Sequence, residues 1–144
     1  MIRVVAGIIE RDERTLICQR RAGKALGLKW EFPGGKMRPS ETPRQALERE
    51  LREELGVTAE IGDVVDVVRH RYAEMRDAVE IVFLTASLDA WRIPSFVSAA
   101  GVGPQSKIAF ERLVWTPRAD LRRFDFLAAD RQVIARLVRG EISG

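Results

Sequence analysis

The sequence has one cysteine and one histidine among its 144 residues, and both shortages restrict its chemistry. A single cysteine excludes an internal disulfide framework. Cys18 ends the apolar run 16–18, which we interpret as part of the core. A single histidine cannot build a metal site of several histidines. We interpret His70, which lies between two arginines, as a residue at a strand end or on the surface.

Long hydrophobic runs are missing as well. The longest apolar run near the start, from Val4 to Ile9, is too short for a signal peptide or a membrane span. The sequence contains no internal repeat and no low-complexity tract. These absences predict that the protein has no membrane partner, and they favour the cytoplasm.

A strong excess of charge of one sign is also absent. Lys and Arg number 24 against 21 Asp and Glu, a net charge of +3, and no basic helix or known nucleic-acid motif is present. A nucleic-acid partner is therefore not indicated, whereas a small polyanionic substrate is compatible. With 46% apolar and 31% charged residues, residues 1–144 are expected to form a single globular domain, either monomeric or homodimeric.

Apolar and β-branched runs alternate with turn residues along most of the chain. Strands are predicted at Ile2–Glu10, Thr15–Arg20, Trp30–Phe32, Ala59–Arg71, Val79–Ala90 and Leu113–Thr116. Helices are predicted from about Pro43 to Leu55 and from Ala128 to Arg139. Loops are predicted at Ala22–Leu28 and, because it is rich in Gly, Ser and Ala, at Ser95–Ser106. Strands mixed with two helices in this order predict an α/β layered domain.

The helix from Pro43 to Leu55 has signals at both ends and two distinct faces. Thr42 is suited to cap it, Gln45 completes a capping box, and Gly56 is a C-terminal stop. At about 100° per residue, three glutamates fall on one face, and an apolar stripe lies beside them. The glutamates are Glu50, Glu53 and Glu54, and the stripe is Leu47, Leu51 and Leu55.

Three neighbouring carboxylates repel one another, and a hard oxygen-seeking cation such as Mg²⁺ would remove that repulsion. The alternative is a solvated helix with Arg49–Glu53 and Glu48–Arg52 ion pairs.

This helix belongs to a longer pattern: Gly, five residues, Glu, seven residues, then Arg-Glu-apolar-any-Glu-Glu-any-Gly-apolar. The residues that fill it are Gly35, Glu41, Arg49, Glu50, Leu51, Glu53, Glu54, Gly56 and Val57. Seven of the nine positions require one residue type, so a chance match is on the order of one in a billion per window. The pattern resembles the Nudix box.

The resemblance implies the Nudix fold, a mixed β-sheet sandwiched between α-helices, and a hydrolase that cuts a diphosphate linkage on a nucleoside with Mg²⁺ or Mn²⁺. It implies metal ligation by Glu50, Glu53, Glu54 and the Gly34 carbonyl. Arg49 would orient a glutamate, and Glu41 would support the loop or an outer metal.

The general base would be Glu53 or Glu50. Lys36, directly after the glycines, can reach a phosphate.

Further segments resemble the MutT-type branch, which hydrolyses nucleoside triphosphates to a monophosphate and pyrophosphate. They are Val4–Glu10, Cys18–Arg21, Trp30–Lys36 and Phe126–Asp130. The implied substrate is 8-oxo-dGTP, slightly ahead of CTP or 5-methyl-dCTP. The alternatives are an ADP-ribose or dinucleotide hydrolase and a catalytically inactive nucleotide-binding module.

Two positions depart from the MutT-type pattern. The loop glutamate expected before the late strand is replaced by Ala109, and Glu111 either takes over as a metal ligand or is solvated. Asp130 stands where the 8-oxo-dGTP enzyme has a base-recognising asparagine. Asp130 is either an acceptor for the base, suited to the cytosine amino group or the guanine N1/N2 edge, or a helix N-cap or first-turn acid. The pair Arg20–Arg21 matches the 8-oxo-dGTP enzyme, and Arg21 is expected to bind substrate.

Overall fold

The structure is a computed structural model that describes residues 1–88, 96–98 and 110–142. The strands are β1 (Ile2–Arg11), β2 (Arg14–Arg20), β3 (Trp30–Glu31), β4 (Gly34–Lys36), β5 (Ala59–His70), β6 (Val79–Leu88), β7 (Phe96–Ser98) and β8 (Phe110–Pro117). The helices are α1 (Pro43–Leu55) and α2 (Arg131–Val138), and 3₁₀ turns cover Arg118–Arg123 and Ala128–Asp130.

The strands form a mixed sheet in the order β5-β6-β1-β2-β8-β7, with β3 beside β2 and β4 beside β1. β1 and β6 run parallel, and the remaining pairs are antiparallel. The β1–β2 hairpin joins the two halves of the sheet through the pairs Glu10–Thr15 and Arg11–Arg14.

Both faces of the sheet are covered, which is why β1 and β6 are apolar almost throughout. In β1, Val5 and Ile9 belong to the core layer under α1, whereas Ala6 and Ile8 belong to the opposite layer. The first layer holds Ala46, Leu47 and Leu51 of α1, and the second holds Val133, Ile134 and Leu137 of α2. The predicted sheet sandwiched between helices is confirmed.

Both ends of α1 are as predicted. The Thr42 hydroxyl accepts from the Gln45 amide at 3.2 Å, and the Gln45 side chain accepts from the Thr42 amide at 3.0 Å, so the capping box is complete. Gly56 adopts φ 67°, and its amide bonds to the Arg52 carbonyl. A helix with both ends satisfied holds its glutamates at fixed positions.

Two predicted elements need correction, and one strand end lies outside the described residues. The loop predicted at Ser95–Ser106 is wrong for Phe96–Ser98, which pairs with β8, and its other residues lie outside the described chain. The predicted C-terminal helix starts as a 3₁₀ turn because the Asp130 amide bonds to the Leu127 carbonyl. The strand predicted to reach Ala90 is described as far as Leu88.

Across the described ranges, we find no helix with the length and hydrophobicity needed to span a membrane.

Candidate active site

Arg49 forms hydrogen bonds with three of the acidic residues of the box. Its guanidinium bonds both Glu41 oxygens, at 2.6 and 2.8 Å, the Glu50 carboxylate at 2.9 Å and the Glu53 carboxylate at 3.3 Å. It also donates to the Lys36 carbonyl at 3.0 Å. This bond connects α1 to the turn at Gly34 and Gly35, here called the glycine turn. Hydrogen bonds from Arg49 and from the Arg38 amide lower the pKa of Glu41 to about 2. One partly buried cation therefore fixes the relative positions of three carboxylates.

The ion pairs of the alternative interpretation of α1 are also present. Arg49 pairs with Glu53, and Arg52 pairs with Glu48 at 2.9 Å on the exposed side of the helix. The Arg52–Glu48 pair does not line the cavity beside the box.

Gly34 and Gly35 sit where no side chain would fit. A Cβ on Gly34 would lie 2.0 Å from the Val5 carbonyl oxygen of β1, and one on Gly35 would lie 2.5 Å from the Glu50 carboxyl carbon. The two glycines therefore let β4 approach β1 and let the Glu50 carboxylate rest on the backbone of the turn.

Glu54 forms no ion pair with the described residues. Burial, and then the charges of Glu50 and Glu31, raise its pKa to about 8, against the influence of the nearby Lys24. Its surroundings are thus rich in carboxylates and short of positive charge. A divalent cation would relieve this imbalance, so the donor set fits a hard metal ion.

Within residues 1–88, 96–98 and 110–142, no three His, Cys, Asp or Glu side chains already converge at metal-binding distance. Arg49 holds the Glu50 carboxylate, and Arg49 and Arg38 share the half-exposed Glu53 carboxylate. The predicted ligand set of Glu50, Glu53, Glu54 and the Gly34 carbonyl stays a prediction.

A cavity of about 240 Å³ joins the box to the start of α2. One part is lined by Gly34, Gly35, Lys36 and Glu54, and another by Tyr72 and Asp130. Its apolar walls include Val4, Ala6, Phe32, Ile81 and Leu127. Such a space can hold a molecule with a charged portion and a flat, partly apolar portion.

Asp130 lies in this cavity and is 3% exposed. Its side chain makes no capping bond to α2, and its Oδ2 atom has no hydrogen-bond partner among the described residues. Asp130 thus stands at the N-cap position of α2 and in the first turn of the 3₁₀ segment, but its side chain does not cap the helix. Burial, and then the Glu31 charge, raise its pKa well above the usual value, against the influence of Arg20. This shift favours the protonated carboxyl, which can donate as well as accept, whereas an ionised one only accepts.

Of the remaining predicted site residues Lys36, Arg21 and Glu111, only the first lines the cavity. Lys36 lines the cavity, as expected of a phosphate-binding residue. Arg21 does not, and its neighbour Arg20 lines it instead, paired with Glu31 at 3.3 Å. Glu111 is not a lining residue, and its carboxylate accepts from the Ala22 amide at 3.3 Å. The prediction about Ala109 falls outside the described residues.

Glu31 and Tyr72 were not identified from the sequence, and of the Arg20–Arg21 pair only Arg21 was assigned to the site. The pairing of β2 with β8 shifts register between Gln19 and Arg20, so simple strand alternation could not indicate which arginine faces the cavity. The only signal for Glu31 was its place in the Trp30–Lys36 segment. Tyr72 follows a predicted strand and carries no sequence signal that separates it from a core aromatic.

Comparisons with known proteins agree with this geometry. The family described as "NUDIX domain" matches residues 1–137. The chain is 38% identical over 130 residues to a CTP pyrophosphohydrolase of Escherichia coli K12, covering 90% of this chain and 86% of that protein. It is 38% identical over 136 residues to a putative 8-oxo-dGTP diphosphatase 2 of Mycobacterium tuberculosis H37Rv, covering 94% and 87%.

Solved structures give the same picture. A MutT NUDIX hydrolase from Burkholderia pseudomallei superposes with a TM-score of 0.74 at 26% identity, covering 93% of this chain and 95% of that one. A MutT protein from Methanosarcina mazei superposes with a TM-score of 0.77 at 21% identity, covering 97% and 94%, which is a likeness of fold.

Proposed function

The chain belongs to the NUDIX domain family, and from that premise we propose that it is a Mg²⁺-dependent pyrophosphohydrolase acting on nucleoside triphosphates. The products would be a nucleoside monophosphate and pyrophosphate. Its role would be to remove damaged or surplus nucleotides from the pool.

The observation that supports this most is the continuity of one cavity. Gly34, Lys36 and Glu54 line it at the box, and Asp130 lines it at the start of α2. A nucleotide has the matching layout, with a polyphosphate at one end and a base with polar edges at the other. The apolar walls between them suit a planar ring.

Divalent metal dependence is general in this family, and Glu50, Glu53, Glu54 and the Gly34 carbonyl are the groups that would hold Mg²⁺, with Mn²⁺ as a substitute. When bound, the metal neutralises phosphate oxygens and acidifies a water molecule. Arg49 keeps the Glu50 and Glu53 carboxylates in place by charge-assisted hydrogen bonds.

Lys36 binds a phosphate oxygen, which places the anhydride bond beside the box. Glu53 or Glu50 takes the proton from the attacking water, whose oxygen bonds to phosphorus as the pyrophosphate leaves. Glu53 is the more accessible of the two, since its side chain is 51% exposed against 12% for Glu50.

Two bases compete as the preferred substrate. Relatives of similar identity are named for CTP and for 8-oxo-dGTP. Protonated Asp130 could donate to one base atom and accept from its neighbour, which suits the edges of both guanine and cytosine. 8-oxo-dGTP and CTP are therefore both proposed substrates.

A nucleotide panel with Mg²⁺ tests the proposal. It should contain 8-oxo-dGTP, dGTP, CTP, 5-methyl-dCTP, ATP and ADP-ribose, with kcat/KM measured for each. The expected result is turnover of a guanine or cytosine triphosphate well above that of ADP-ribose. Faster turnover of ADP-ribose would replace the proposal with a dinucleotide-type hydrolase, and no turnover at all would indicate an inactive binding module.

A further inference from the structure

Tyr72 occupies a fixed position in the cavity beside Asp130. It is 8% exposed, and its hydroxyl oxygen accepts a hydrogen bond from the buried Ala129 amide at 2.9 Å. The His70 ring packs against the phenol ring edge-on, with centroids 4.3 Å apart. The hydroxyl is thus anchored to the backbone residue directly before Asp130, and neither ring nor hydroxyl can move freely.

The hydroxyl proton of Tyr72 remains available for a ligand. The Ala129 amide uses an oxygen lone pair, and no described residue accepts the phenolic proton. Burial raises the pKa of Tyr72, against the lowering effect of the Ala129 hydrogen bond, so the hydroxyl keeps its proton. A buried donor without an acceptor is costly unless something enters the cavity and accepts the bond.

Two unsatisfied polar groups therefore lie at one part of the cavity: the Tyr72 hydroxyl proton and the Asp130 Oδ2 atom. The apolar walls around them include Leu127 and Ile81, which offer no competing polar contact. A ligand that satisfies both must present an acceptor and a second polar group on one edge.

We infer that Tyr72 is a specificity-determining residue whose hydroxyl donates to a keto oxygen of the base while Asp130 bonds the adjacent polar group. The inference rests on the proposed function and deepens it. It selects bases with a ring carbonyl, such as the O6 of guanine or the O2 of cytosine, over adenine, which has none. No feature of the box takes part in this choice.

Thio-substituted bases test the contact atom by atom. In 2-thio-CTP and 6-thio-GTP the keto oxygen is replaced by sulfur, a weak acceptor, while the other polar groups remain. The wild-type protein should prefer the keto substrates by about three- to tenfold in kcat/KM. Tyr72→Phe should bring that ratio close to one. An unchanged ratio in Tyr72→Phe overturns the inference, even if both rates fall together.

The matched control is Thr15→Val. It also removes a buried hydroxyl that makes a hydrogen bond, in this case to Glu10 at 3.0 Å in the β1–β2 hairpin, and Thr15 does not line the cavity. This variant should keep the wild-type ratio. A ratio lost equally in Thr15→Val would show that the effect comes from general loosening of the fold, and would contradict the inference.

A second measurement uses the wild-type chain, in case Tyr72→Phe does not fold. Tyr72 is the sole tyrosine of the sequence, so protein labelled with ¹³Cζ-tyrosine gives a single signal that reports on the hydroxyl. The signal should move when the α,β-methylene analogue of CTP is added and stay put with its 2-thio counterpart. A signal that does not respond to the keto analogue under conditions of saturation overturns the inference.

The two proposals fail in different ways. If keto and thio triphosphates are hydrolysed equally well, the enzyme assignment stands and the role of Tyr72 falls. If no nucleotide is hydrolysed and none moves the Tyr72 signal, both fall together.

Discussion

Glu53 differs from the other box glutamates in its surroundings. Half of its side chain is exposed, and its two oxygens contact different arginines, Arg49 at 3.3 Å and Arg38 at 3.4 Å. Exposed pairs of this kind contribute little to stability. The residue is therefore accessible for chemistry and dispensable for the fold.

Replacing Glu53 with Gln should consequently separate activity from stability. We expect kcat to fall on the order of a thousandfold, because a metal ligand and the activation of water are lost together. The melting temperature should stay close to that of the wild type. Glu48→Gln is the matched control, since Glu48 lies on the same helix and pairs with Arg52 outside the cavity. Near-normal turnover in Glu53→Gln would remove Glu53 from the mechanism.

Asp130→Asn should change both base preference and the pH dependence of stability. The ratio of kcat/KM between guanine and cytosine triphosphates should shift by about tenfold if the contact is direct. The folded pKa of Asp130 is raised, so the folded protein holds a proton that the unfolded chain releases. The free energy of unfolding should therefore fall as pH rises above about 3.8, and the variant should lack this contribution.

Denaturant melts across pH, together with the kinetic ratio, check this prediction. Asp125→Asn serves as the comparison, because Asp125 is an exposed aspartate paired with Lys29 and does not line the main cavity. If Asp130→Asn and the wild type show parallel pH profiles and the same ratio, Asp130 does not bind the base.

At the scale of elements, the glycine turn and α1 act as one unit. The turn receives the Glu50 carboxylate, and Arg49 of the helix bonds to the Lys36 carbonyl at the end of β4. Neither element presents the site alone. A small change in one should therefore displace the carboxylates carried by the other.

Gly35→Ala tests this coupling. The new Cβ would lie 2.5 Å from the Glu50 carboxyl carbon, so Glu50 must move, and activity should fall by about a hundredfold. Gly140→Ala is the control: its φ of 73° strains a side chain there, but no atom lies within 4 Å. It should cost about 1 kcal/mol of stability and leave kcat unchanged. Equal activity losses in both variants would argue against a fixed contact between Gly35 and Glu50.

The helix α1 was predictable because its signals are local. Thr42, Gln45 and Gly56 determine its ends within a few residues of sequence, and the apolar stripe around Leu51 determines its buried face. Phe96–Ser98 was missed because a three-residue strand inside a segment rich in Gly, Ser and Ala has too short a pattern to stand out.

At the scale of the whole molecule, the cavity depends on segments far apart in the chain. It collects side chains from β1, β2, β4, α1 and the start of α2, held together by the two core layers. The motif could be recognised from the sequence, since it is continuous. The raised pKa of Asp130 and the choice of Arg20 over Arg21 could not, because burial and a shifted strand register arise only when these segments pack.

The central claim is that this cavity hydrolyses a nucleoside triphosphate with a divalent metal, between the phosphate nearest the nucleoside and the next. The most direct measurement is separation of the products formed from dGTP or CTP, with Mg²⁺ and after its removal by a chelator. The expected products are the nucleoside monophosphate and pyrophosphate in equal amounts, with turnover abolished by the chelator and restored by Mg²⁺ or Mn²⁺. A nucleoside diphosphate with orthophosphate as the main products, or turnover that survives removal of the metal, would contradict it.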